Sequence, residues 1–145
     1  MDFFTAMEVS ATGLNAERTR LNVASSNLAN AQTTKGPNGQ PYARQDVVLR
    51  SQAASQNISG AQAGDGAGAI QGVQVAGIKA DTAPPRLEYD PGHPDANADG
   101  YVAYPNVNPV EEMVDMITAS RAYQAGVTAL DSAVQLSEKA IGIGK

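Results

Sequence analysis

Between Asn108 and Ile141 the chain carries Met113, Met116, Tyr123, Val127, Leu130, Val134 and Ile141 at alternating spacings of three and four, with Ser120 and Ser137 in the two remaining slots. Seven of the nine stripe positions are therefore apolar, the periodicity of a coiled-coil seam. The start of the helix is written beside it. Asn108 suits the cap, Pro109 suits the first helical position, where no amide bond is lost, and Glu111 lies three residues after the cap. Glu111, Glu112 and Asp115 sit toward the positive end of the helix dipole and Lys139 toward the negative end. A helix of about 33 residues is roughly 50 Å long. A lone apolar stripe of that length needs a partner.

The other end of the chain offers one. From residue 3 to 29, Met7, Leu14, Leu21 and Leu28 recur every seven residues, with Phe4, Ala11 and Ala24 beside them. Arg18 and Ser25 occupy supporting slots, so this stripe is thin and the helix is marginal by itself. Side-chain bonding by Ser25, Ser26 and Asn27 competes with the helix, which should end near Asn30. Lys35 to Pro41 then reads as a turn-rich connection.

The middle of the chain has another character. Residues 31–107 hold ten of the fourteen glycines and seven of the eight prolines. Short strands are expected over Tyr42–Arg50, around Val73, Val75 and Ile78, at Leu87–Tyr89, and at Tyr101–Tyr104 after an Asp99-Gly100 turn. Residues 51–72 show no periodicity, with Ile58 and Ile70 as their only large apolar residues, and read as a flexible loop. The expected architecture is mainly α. Two long antiparallel terminal helices form a coiled coil over residues 1–34 and 108–145, with a small β-rich insert over 35–107. Val110, Val114 and Ile117 lie off the seam, and Ala119, Ala122, Ala129, Ala133 and Ala140 form a small face that permits close approach. The apolar surface left over suits an assembly contact.

Composition excludes several classes. A formal charge of -5 without a basic run argues against nucleic acid. Without cysteine there are no disulfides, thiol nucleophiles or thiolate metal sites. No stretch nears the ~20 apolar residues that cross a membrane, and the Met-Asp-Phe-Phe start has no signal-peptide features. Taken alone, that places the chain in the cytosol, unless a route without a cleaved hydrophobic signal exports it.

Asp95-Ala-Asn97-Ala-Asp99-Gly100 matches the first half of a calcium loop. Its twelfth position is Asn106 rather than Glu, so it reads as a polar turn with side-chain-capped amides. His93, the sole histidine, reads as a loop residue packing or hydrogen-bonding locally. Glu111 and Glu112 are adjacent and point in different directions on a helix. Gly60, Gly64, Gly66 and Gly68 lack the lysine and the strand–helix context of a phosphate cradle. No catalytic residue, cofactor or metal is expected, and an enzyme is not the reading.

Three blocks carry a resemblance that spans essentially the whole chain. Ser25-Ser26-Asn27-Leu28-Ala29-Asn30 with Thr33-Thr34, and Asn108-Pro-Val-Glu-Glu-Met-Val-Asp-Met-Ile117 leading to Ser120-Arg-Ala-Tyr123, resemble the bacterial flagellar rod and hook family. Tyr89-Asp-Pro-Gly-His-Pro-Asp95 with Gly100-Tyr-Val-Ala-Tyr-Pro-Asn-Val107 is similar to the proximal-rod members of that family. The resemblance implies a structural protein, made in the cytoplasm and exported unfolded through the flagellum's own apparatus without a cleaved signal. It would polymerise with other rod proteins and with copies of itself into the helical shaft that crosses the periplasm and carries torque to the hook. The rod base with its export-gate adaptor region and the surrounding ring are further implied neighbours.

Met7, Leu14, Leu21, Leu28, Met113, Ile117, Tyr123, Val127, Leu130 and Val134 are the residues expected to carry assembly, with Arg121 as an ion-pair partner. The alternative reading is a soluble helical-hairpin adaptor or export-associated binding module. Two positions depart from the family pattern. Pro109 stands where a residue such as Val is expected, and Ala125-Gly126-Val127 stands where many relatives carry Ala-Asn-Val. Gly126 costs about 1 kcal/mol of helix propensity relative to Ala, so it should serve close approach between helices or a bend.

Overall fold

The computed structural model describes residues 3–53 and 71–143. In chain order the elements are α1 (Phe3–Ala29), β1 (Gln45–Ala53), β2 (Gln71–Ala80), β3 (Arg86–Tyr89), β4 (Tyr101–Tyr104) and α2 (Pro109–Ile143). The Asn108 side-chain oxygen accepts the Val110 amide at 3.1 Å and its carbonyl accepts the Glu112 amide at 3.1 Å, so the cap forms where the sequence places it. At the other helix, Asn30 turns its side-chain amide back onto the Ser26 carbonyl at 2.8 Å and the chain leaves through a turn.

The helices pack antiparallel. Asn27, near the end of α1, bonds Glu112 near the start of α2. Leu14, earlier in α1, meets Gly126, later in α2, so closely that a Cβ on Gly126 would lie 2.8 Å from Leu14 Cδ2. Gly126 therefore seats Leu14 at a close approach, which the sequence left as one of two roles.

β1 and β2 form an antiparallel hairpin from Gln45↔Ala80 to Ala53↔Gln71, with a register shift after Val48. β2 rests on α1. The Val73 amide donates to the Thr12 hydroxyl at 3.1 Å, and Gly72 lies so near that a Cβ there would be 2.7 Å from Thr12 Oγ1. β3 and β4 pair from Arg86↔Tyr104 to Tyr89↔Tyr101. Their connection turns at Gly100, whose φ of +80° is a left-handed conformation, with the Tyr89 ring against it.

Among the described residues the buried apolar side chains are Ala16, Val23, Ala24, Ala31, Val102, Pro105, Val107 and Ala119. None is larger than valine or proline, so this core is thin, and a polar cluster sits inside it. Asn27, 1% exposed, uses every hydrogen-bonding position of its amide. Its oxygen accepts the Gln45 amide and the Tyr42 hydroxyl, each at 2.9 Å. Its nitrogen donates to the Gln45 carbonyl at 2.9 Å and to Glu112 Oε2 at 3.0 Å. Glu112, also 1% exposed, accepts the Arg44 Nε–H on Oε1 at 2.6 Å, and Arg44 Nη1 reaches Asp46 at 2.6 Å. Burial works against the Arg44 charge, but the Glu112 and Asp46 carboxylates outweigh it and hold its pKa above the ordinary value. One cluster thus joins α1, the start of β1 and the first turn of α2. Among the described residues no buried side-chain nitrogen or oxygen lacks a partner.

The expected mainly-α coiled coil is corrected on two counts. Four strands in two antiparallel sheets accompany the two helices, so the fold is mixed α and β. The contact face of α2 also follows the expected seam only in part, since Met116, Ser120, Leu130, Val134 and Ser137 are half-buried and Met113, Tyr123, Val127 and Ile141 are exposed. Glu112 and Ala119 are buried and Gly126 meets Leu14, while Met113 is 45% and Val127 37% exposed. The physical reason is twofold. Small residues let α1 come close on one side of α2, and the buried Glu112 must lie where Asn27 and Arg44 can reach it. The hairpin strands lie on α1 as well, so that helix shares its contacts between α2 and a sheet.

The strands at Leu87–Tyr89 and Tyr101–Tyr104 lie within a residue of expectation, while β1 is shifted to Gln45–Ala53 and β2 extends over Gln71–Ala80. These two take up both ends of the segment read as a loop; its remainder, 54–70, lies outside the described residues.

Two stability measurements follow. Asn27→Leu orphans the Gln45 amide and one oxygen of Glu112, and should cost about 3 kcal/mol in urea unfolding. Gly126→Val should cost about 1–3 kcal/mol by overpacking, and a double-mutant cycle should show that cost falling when Leu14→Ala makes room.

Candidate assembly interface

At 3.6 residues per turn, positions i, i+3, i+4 and i+7 share a helix face. On α2 these are Val110, Met113, Val114 and Ile117, exposed to 65%, 45%, 56% and 53%. They lie across the helix from Glu112 and Ala119, on the side away from α1. Exposed Glu111 and Arg121 border the patch. Among the described residues Arg121 makes no ion pair.

The other residues singled out from the sequence are dispersed. Met7, Leu14, Leu21 and Leu28 are all half-buried along α1, with Leu14 on Gly126. Leu130 and Val134 are half-buried on α2, while Tyr123 and Val127 are exposed. Met113 and Ile117 come together, and Val110 and Val114, read as surplus apolar surface, complete their face. The hairpin adds Val48, Leu49, Val73 and Ile78, all exposed.

Sequence reasoning missed the Asn27, Tyr42, Arg44 and Glu112 cluster. Asn27 appeared there as a residue that weakens the helix end, and Glu112 as a charge for the dipole. The signal available was an amide in the same helical column as Ala16 and Val23, which are both buried.

Asp95 to Gly100 is the expected polar turn, and a similar bond precedes it at Asp90. Asn97 Oδ1 accepts the Asp99 and Tyr101 amides at 3.0 and 2.9 Å, and Asp90 accepts the Gly92 amide at 3.1 Å. Asp95 is engaged by the Thr34 hydroxyl at 2.7 Å and by Lys35 at 3.7 Å, which pins the loop to the exit of α1. His93 accepts the Asp95 amide at 3.1 Å and stands edge-on to Tyr104, the local packing role read from its place in the chain. No described helix is long and apolar enough to cross a membrane.

Comparisons with known proteins give the family. The family model described as flagella basal body rod protein matches residues 7–37, and that described as flagellar basal body rod FlgEFG protein C-terminal matches residues 98–143. The flagellar basal-body rod protein FlgC of Borreliella burgdorferi is 43% identical, over 99% of this chain and 98% of the relative. Those of Bacillus subtilis and Salmonella typhimurium are 44% and 39% identical, each over the full length of both chains. The chain belongs to the FlgC family of flagellar basal-body rod proteins and is a structural subunit of that rod.

Proposed function

We propose that this subunit builds the proximal part of the rod, joining other rod proteins and copies of itself through the open face of α2. The observation that carries this reading is the cluster of Val110, Met113, Val114 and Ile117, apolar and turned away from the rest of its own chain. Fully burying an apolar side chain of this kind stabilises by about 1.5–3 kcal/mol, so covering four contributes several kcal/mol per contact. The lone folded chain leaves about half of that surface open, between 45% and 65% of each residue. Arg121, unpaired among the described residues, meets a carboxylate of a neighbour and aligns the contact.

The mechanical role follows from shape. Helices of 27 and 35 residues are about 40 and 52 Å long, and packed side by side they resist bending as a unit. Torque passing up the shaft to the hook is shared over many such contacts, with no catalytic centre involved. The chain reaches its place from the cytoplasm by the flagellar export route, without a cleaved signal, and assembles near the rod base and its export-gate adaptor, inside the surrounding ring.

The test is incorporation. Val114→Asp and Ile117→Asp alter exposed positions, so circular dichroism and unfolding of the purified chain should stay within about 0.5 kcal/mol of the parent. Basal bodies isolated from cells making either variant should lack the subunit, and the cells should not swim. Normal incorporation of both variants would refute the assignment of this face.

A further inference from the structure

Helix α2 carries two overlapping stripes. The first is the apolar one: Met113, Met116, Ser120, Tyr123, Val127, Leu130, Val134 and Ser137. The second, on the side of α1, runs through Glu112, Met116, Ala119, Tyr123, Gly126, Leu130, Ala133 and Ser137, of which Tyr123 is exposed. Its anchors are buried Glu112 and Ala119 and the seat of Leu14 on Gly126. The stripes share Met116, Tyr123, Leu130 and Ser137, and differ by one residue everywhere else. At 100° per residue their mean directions are about 50° apart.

Hydrophobicity by itself favours the first stripe, which turns Met113 and Val127 inward in place of a carboxylate and a glycine. From Glu112 to Gly126 the chain holds the second, with Glu112 and Ala119 buried and Met113 and Val127 exposed; beyond it Ala133 and Val134 are both half-buried. Close approach at Ala119 and Gly126 permits the second, and the directional bonds that hold it are those of Glu112 with Asn27 and Arg44, at 3.0 and 2.6 Å.

We propose that the Asn27–Glu112–Arg44 cluster is a rotational lock on α2. Asn27 is itself fixed by the Gln45 backbone and the Tyr42 hydroxyl. It can therefore receive Glu112 at one setting of the helix, and that setting turns Val110, Met113, Val114 and Ile117 outward. This is the use of a buried polar group to choose between packings, at a cost in stability. Without the lock, α2 turns by about 50°, Met113 and Val127 move against α1, and the open face is diminished. Asn27, Arg44 and Glu112 are positioning residues, since they act on the contact through the helix. The consequence for assembly rests on the function proposed above; the rotation does not.

The chain has no cysteine, so engineered pairs report the rotation directly. Leu14→Cys is combined in full-length protein with either Gly126→Cys or Val127→Cys, and oxidation is followed by gel mobility. With Glu112 in place, the 14/126 pair should close about tenfold faster than 14/127, the ratio set by ~1.4 kcal/mol between the two settings. Glu112→Leu should bring the two rates together or reverse them. Arg44→Met, which leaves both helices unaltered in sequence and strands the carboxylate, should do the same.

A 14/126 preference unchanged in Arg44→Met and in Glu112→Leu would overturn the lock. If Glu112→Leu abolishes helical dichroism, Arg44→Met alone decides. If the rates shift while Arg44→Met chains still enter basal bodies normally, the lock stands and the assembly role of the open face is the part that fails.

Discussion

A carboxylate buried among alanines and valines is the constraint on which the rest of this fold depends. Glu112 lies 1% exposed, with Asn27 on one oxygen and Arg44 on the other. Such a pair contributes little net stability, because the attraction roughly repays what desolvation costs, yet removing one member leaves a buried charge and is strongly destabilising. Its leverage here comes from the thinness of the core around it. No leucine among the described residues is fully buried, so no leucine dictates how α1, β1 and α2 meet. The hydrogen bonds do, because they are directional and apolar contact is not.

What the interior lacks, the surface has in excess. Val110, Met113, Val114 and Ile117 on α2, and Val48, Leu49, Val73 and Ile78 on the hairpin, are all exposed. A monomer that kept such surfaces open would invite association. In the function proposed above, that tendency is what assembly uses. Polar bonds set the arrangement within the chain while these apolar side chains stay exposed. Glu112 inward and Met113 outward are then two aspects of one choice.

Much of this was legible in the sequence. The capped start of α2, the extent of α1, the strands at Leu87–Tyr89 and Tyr101–Tyr104, and the amide-capping turn at Asp95–Gly100 all follow from local rules acting over a few residues. The rotation of α2 was not legible, for a physical reason. Periodicity weighs side chains by hydrophobicity, and on that weighting Met113 and Val127 outrank Glu112 and Gly126. The deciding partners, Asn27 and Arg44, are distant in sequence, and nothing local marks them as belonging to Glu112. Gly126 could be read as a close approach or a bend, and only Leu14 seated on it decides for the close approach. The mainly-α reading failed for a related cause. Strands weighed as minor additions in fact lie against α1, through Thr12 and Asn27.

The most direct test is the orientation of α2 in the assembled rod. An electron cryomicroscopy reconstruction of basal bodies that resolves side chains should show Glu112 on Asn27 and Arg44, Gly126 under Leu14, and Ile117 against a neighbouring subunit. A rod in which Met113 and Val127 pack on α1 while Glu112 faces solvent or an adjacent chain would contradict the account.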